Sequence, residues 1–198
     1  MFNTQVRQKF TAMIKRGLLA GVFAVSTATM VAAPEPALAA SFLRLGNIRG
    51  ESTDSRHKDE IDILSFTQSF INNSVVALGG GGGSAGKVQC GAITVIKNID
   101  RASPLLLRAV ATGEHIRDGR LTFRNEDSEN LADYYTIDLR DVLVSELTQT
   151  DNPDPNRIVE KLVLNASVYI FSYKPQNKDG SLGAEVRFGF DCLRNRIL

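Results

Sequence analysis

The chain has 198 residues, enough for one ordinary domain plus a removable segment. Its formal net charge is +1, with 23 basic and 22 acidic side chains, so nothing in the totals points to a nucleic acid as partner. The charge is unevenly placed: Arg7, Lys9, Lys15 and Arg16 precede an apolar stretch, and without the first forty residues the remainder carries about −2, a balance that suits solubility and self-association and selects no ligand.

The first 39 residues have the layout of a secretory leader. A polar, basic start (1–17) is followed by an apolar, uncharged run (18–33), then Pro34-Glu35-Pro36 and Ala37-Leu38-Ala39. Small residues three and one positions before a cut place cleavage between Ala39 and Ala40. The apolar run is short and rich in Ala, Ser and Thr, which argues against a stable membrane span of about 20 residues. A domain over 40–198 would then be secreted or periplasmic. A true start near Met30 would remove the basic and apolar parts and return the protein to the cytoplasm before any export.

Phe42 to Ile48 reads as a first strand, interrupted at Arg44 and Gly46. Gly50 to Lys58 reads as a solvated loop. Ile61 to Ile71 alternates in part, with Leu64, Phe66 and Phe70 on one face and Ser65, Thr67 and Ser69 on the other. One face belongs in a core, and the polar face around Thr67 meets water or a lumen. Leu78 to Lys87 is dominated by five consecutive glycines, 79–83, a composition that holds no regular element because ordering glycine costs the most backbone entropy.

Val88 to Ile99 reads as a strand. Ser103 can cap a helix with Pro104 at its first position, Leu105, Leu106, Ala109 and Val110 supply an apolar stripe, and Gly113 ends it. Strands follow at Arg120–Arg124, Tyr134–Leu147, Ile158–Tyr173 and Val186–Cys192, with Gln149–Arg157, which carries Asn152-Pro153-Asp154-Pro155, and Asp179-Gly180 as turns. On the longest strand, Leu162, Leu164, Ala166, Val168 and Ile170 share a face. The expected fold is mainly β: a compact barrel or sandwich of about seven strands with one short flanking helix.

Several short motifs occur in a fixed order. They are Gly50-Glu51-Ser52, His57, Asp59-Glu60-Ile61-Asp62-Ile63-Leu64-Ser65-Phe66, Gly86-Lys87-Val88, Ser103-Pro104, Gly113 with His115, Leu139 to Ser145, and Tyr173-Lys174-Pro175-Gln176. Together they resemble the Hcp family, the ring-forming tube proteins of type VI secretion, from about Phe42 to Asn195. The resemblance implies a homo-hexameric ring, rings stacked into a hollow tube that carries effector proteins, secretion-machine partners and no enzymatic role. It also implies that the charged loop (Glu51, Asp59, Glu60) and the glycine tract (Gly81, Gly86, Lys87) meet neighbouring subunits. The chain departs from the family in its leader. It also has no Trp where the family often has one, near Phe66 and Phe190; Phe keeps the apolar bulk without the indole N–H.

Other motifs fare less well. Gly81 to Val88 nearly spells a phosphate loop, but Val88 stands where Ser or Thr would hold magnesium and a strand follows instead of a helix. Gly82-Gly83-Ser84-Ala85-Gly86 fits the hydrolase elbow in letters only; a glycine tract cannot fix the strained turn that elbow needs, and neither Asp100 nor Glu114 is placed like a triad acid before His115. His57 with Asp59, Glu60 and Asp62 lacks metal-ligand spacing, and a solvated loop or intersubunit ion pairs is the plainer reading. No cofactor is expected.

Cys90 and Cys192 are the two cysteines. Paired, they would close a loop of about 100 residues, with a contribution on the order of 4–5 kcal/mol. Two buried free thiols are the alternative, and both stand open at this point.

Overall fold

A computed structural model describes residues 40–72, 87–125, 132–151 and 158–198. The leader, the glycine tract and the Asn152–Pro155 turn lie outside the described residues. Eleven strand segments and one helix are present among those described: β1 Ala40–Leu45, β2 Ile61–Ile63, β3 Ser65–Thr67, β4 Phe70–Asn72, β5 Val88–Cys90, β6 Ile93–Asn98, α1 Ser103–Thr112, β7 His115–Asn125, β8 Ala132–Asp151, β9 Ile158–Tyr173, β10 Val186–Asp191 and β11 Arg196–Ile197.

The strands close into an antiparallel barrel. β1 pairs with β7, β7 with β8 and β8 with β9. The far edge of β9 is shared: its first half pairs with β6 and its second half with β10. β6 then pairs with β3, while β2, one residue before β3, pairs with β1, completing the circuit. The corner between them is Leu64, whose N–H donates to Ile96 O at 2.7 Å. Inside lie Leu43, Leu45, Ile61, Val95, Leu121, Ile137, Leu139, Leu162 and Leu164, all buried. Such close-packed branched side chains are the dominant favourable contribution to this fold.

The corner corrects the reading of Ile61–Ile71 as one strand. Alternation puts Ile61 and Ile63 inside, then reverses at the bend, so Phe66 packs inward and Leu64 is half exposed. The chain switches from one neighbour to another here, and a strand that changes sheets must change the parity of its buried face. Val88–Ile99 also divides, at Gly91-Ala92, and Phe42–Ile48 ends at Leu45, after which Gly46 turns the chain with φ +52°. The strand expected to be longest, Ile158–Tyr173, has 16 residues against 20 in β8; it keeps Leu162, Leu164 and Ile170 buried, and Tyr169 joins them from the opposite parity. The β8 edge continues past Leu147 to Asp151, so part of the expected turn is strand.

Helix α1 packs against β8 and buries Ser103, Leu106 and Ala109, while Leu105 faces out. Gly113 ends it in the left-handed conformation, φ 65°, its N–H donating to Ala109 O. Ser103 does not cap it. The N-cap is Ala102, with no side-chain cap bond, and the Ser103 hydroxyl is committed elsewhere. It accepts the Asp100 N–H at 3.1 Å and donates to Glu160 at 2.6 Å. Asp100 replaces it locally, accepting the Ala102 N–H at 2.9 Å.

Candidate assembly surface and the loop behind it

The segment from Gly50 to Glu60 is knitted rather than solvated. Gly50 N–H donates to Asp59 O at 2.8 Å, Asp59 N–H to Ser52 O at 3.0 Å, and Ser52 N–H to Glu60 O at 3.0 Å. Gly50 lies so close to this return strand that a Cβ would stand 2.3 Å from Glu60 O. Ser52 and His57 are buried.

His57 is an internal pin. Its ring stacks on Phe42 with centroids 4.2 Å apart, Nδ1 lies 2.9 Å from Glu60 and Nε2 3.3 Å from Asp133. Behind it the buried Arg124 donates to Asp133 at 2.8 Å and Asp54 at 2.6 Å, and its guanidinium lies 5.4 Å from the Phe42 ring centre. Burial by itself would raise the Asp54 pKa. The Arg56 N–H, the Arg124 guanidinium and the His57 N–H outweigh it and hold the carboxyl below the ordinary range. These ion pairs join β1, the loop, β7 and β8 within one subunit. A motif that looks like a surface loop in sequence is thus part of the structural interior. Asp133, which lies 76 residues from His57, carried no signal of this pairing.

The remaining expected contact residues divide. Glu51 and Asp59 are on the outside and face Arg101 at the start of α1, at 3.8 Å and 3.9 Å. Glu60 turns inward to His57. Thr67 and Ser65 are exposed on β3, and Lys87 is exposed just before β5. Gly81 and Gly86, with the phosphate-loop and elbow motifs they belong to, lie outside the described residues, as does Ala39; Ala40 begins β1 opposite Arg124. Cys90 and Cys192 are bonded to one another, with Cα atoms 6.2 Å apart. His115 pairs through Nδ1 with Asp141 at 2.7 Å, and Ser167 donates to the same carboxylate. The acid sits between His and Ser, which is the wrong order for activating a hydroxyl. Among the described residues no three His, Cys, Asp or Glu are grouped to hold a metal ion, and no helix is long and apolar enough to cross a membrane.

One surface escaped the sequence reading. β10 pairs with β9 along its whole length, but on its other side β11 and the Leu198 N–H after it cover only Gly189, Phe190 and Asp191. Among the described residues the outer edge of Val186–Phe188 has no strand partner. Val186, Phe188, Leu193, Ile197, Leu198 and Tyr173 around it are exposed, 45–75% of their surface remaining in contact with solvent. An open strand edge beside exposed apolar side chains is a pairing surface. The alternation of Val186, Phe188 and Phe190 was visible in sequence; the absence of a neighbour was not.

These features define a structural barrel: its buried ionic groups pair with one another, Arg124 Nη2 alone among their atoms lacking a hydrogen bond among the described residues, and an open sheet edge is left on its surface. Residues 42–173 match the family described as "Type VI secretion system effector, Hcp". The chain is 34% identical over 155 residues to Protein hcp1 of Pseudomonas aeruginosa, covering 78% of this chain and 95% of that protein. The chain belongs to the Hcp family, a structural, non-enzymatic one. Among solved structures, Hcp1 from Salmonella typhimurium is 28% identical with a TM-score of 0.67, over 81% of this chain and 99% of that one. A type six secretion system protein superposes with a TM-score of 0.77 at 23% identity, over 81% and 100%. The latter shares the fold. The missing Trp side chains are replaced within it by aromatic packing: Phe66 meets Phe123 edge-on at 5.0 Å, and Phe190 stacks near Phe188 at 6.3 Å.

Proposed function

We propose that this protein is the ring subunit of a type VI secretion tube: copies close into a homo-hexamer, and rings stack into a hollow cylinder that carries effector proteins. The observation that carries the proposal is the 34% identity to Protein hcp1 across 95% of that protein. The open Val186–Phe188 edge and the apolar side chains around it support it, because a surface that pairs with a different surface on the next copy makes a ring when the rotation closes. The exposed polar residues Ser65 and Thr67 suit a hydrated lumen, and Glu51, Asp59 and Lys87 suit contacts with neighbours. Light scattering on the purified full chain should give six subunit masses, and electron micrographs should show annuli or cylinders. A strict monomer at high concentration overturns the reading.

A second reading has a specific observation behind it. A disulfide belongs in an oxidising compartment, and the sequence begins like an export leader, so the same barrel would act as a binding module in the periplasm or at the cell surface. Sequencing the N-terminus of the native protein decides it: a start at Ala40 or Ser41 favours this route, and a start at or near Met30 favours the tube.

A further inference from the structure

β4 and β5 stand apart from the main sheet as a two-stranded ladder of their own, three residues on each side. They continue the β3–β6 pairing beyond a break at Gln68-Ser69 and Gly91-Ala92, where the Gly91 N–H donates to Ser69 O at 2.8 Å. So short a ladder does not hold its place alone. All three β4 residues are exposed.

Two kinds of contact fasten this extension to the β9–β10 surface. Phe70 stands edge-on to Tyr169, Phe171 and Phe190, at 5.4, 5.6 and 6.4 Å between centroids, while Tyr169, Phe171, Phe188 and Phe190 stack in a row beneath it. The second is covalent. Cys90, the register partner of Phe70, is bonded to Cys192, and the Cys192 N–H is tied to Ser167 O on β9 at 2.9 Å. The Val88 N–H adds one bond to Asn195 Oδ1 at 3.0 Å. Both cysteines are half-buried. The barrel circuit β1–β2/β3–β6–β9–β8–β7 closes without either of them.

We propose that Cys90–Cys192 is a redox latch: oxidised, it holds the β4–β5 extension on the aromatic row; reduced, it releases the extension and leaves the barrel folded. The opening reagent is a dithiol. One of its thiolates attacks a sulfur of the bond and the other cysteine leaves as thiolate and takes a proton; the second thiol then resolves the mixed disulfide. The chain gains two electrons and two protons as two thiols, and the reagent departs as a disulfide. Exchange with a disulfide-carrying oxidant closes the latch by the reverse path.

The test is hydrogen exchange read by mass spectrometry on the oxidised full chain, the same chain reduced with a phosphine, and the C90S/C192S variant. Reduction should speed exchange at residues 70–72 and 88–90 by about tenfold or more, while β7, β8 and β9, although weakened by the loss of loop closure, remain far better protected than those residues. Equal exchange at 70–72 and 88–90 in both states, or a fall of β7 to β9 to the same protection as those residues, overturns the latch. If the double variant does not fold, the reduced wild-type chain carries the test, and its unfolding on reduction also overturns the proposal. Light scattering separates the two readings. A latch that responds in a chain monomeric in both states sustains the latch and removes the ring.

Discussion

Lys97 and Glu160 face one another across β6 and β9 as register partners, both side chains fully buried, with Nζ 2.7 Å from Oε2. Lys97 also donates to Asn98 O and Asp100 at 2.8 Å and to Ser103 at 3.1 Å. Glu160 accepts from Ser103 at 2.6 Å and, on its other oxygen, from Gln149 at 2.8 Å. A buried pair this fully satisfied fastens the start of α1 to the barrel wall. Glu160→Gln or Lys97→Met should each destabilise the fold by about 3–5 kcal/mol, since each leaves a buried charge without its main partner. The double variant K97M/E160Q should lose less than the two single losses together, by more than about 1 kcal/mol. Urea unfolding of the four proteins measures this; additive losses would refute the coupling.

Gly50→Ala tests the knitted loop. Its methyl group would press on the Glu60 carbonyl and the Ile61 backbone, neither of which can rotate away. The loss should be on the order of 2 kcal/mol or more, against about zero for an exposed site such as Lys58→Ala. Thermal unfolding compares them, and a Tm for Gly50→Ala equal to wild type would show that the loop yields.

Acid should weaken the protein through Asp54 and Glu160. Burial opposes ionisation of Glu160, but Gln149, Lys97 and Ser103 outweigh it and hold the carboxyl below its ordinary value, as Arg56, Arg124 and His57 do for Asp54. A lowered folded-state pKa adds stability above the unfolded value. That stability is present in full above about pH 5 and is lost as the pH falls through the lowered values, below about pH 4. Tm should therefore fall between pH 5 and pH 3, with a smaller slope in Asp54→Asn. A flat Tm over that range would contradict the assignment.

Val186→Lys probes the open edge. Val186 is 66% exposed, so the change should alter stability by about 0.5 kcal/mol or less, while a charge on an unpaired strand edge opposes pairing with another copy. Assembly should need at least about tenfold more protein by light scattering, with Tm unchanged. Unaltered assembly would move the contact elsewhere.

Much of this molecule is legible in one dimension. The alternation of Ile158–Tyr173 returned its strand with both boundaries, Gly113 ended the helix where a left-handed residue was needed, and the order of short motifs from Gly50 to Gln176 carried the family. These signals are local: side-chain period and backbone conformation are properties of neighbouring residues. What the tertiary structure alone decided concerns partners far along the chain. His57 became a buried pin because Phe42 and Asp133 arrive beside it, Ser103 left the helix cap because its oxygen accepts Lys97 Nζ and the Asp100 N–H while its hydroxyl donates to Glu160, and Ile61–Ile71 bent at Leu64 because it pairs with β1 before the bend and β6 after it. The bond between Cys90 and Cys192, 102 residues apart, is of the same kind. A polar side chain's fate depends on whether a partner reaches it out of water, and barrel closure, which local pattern does not encode, determines which partners do.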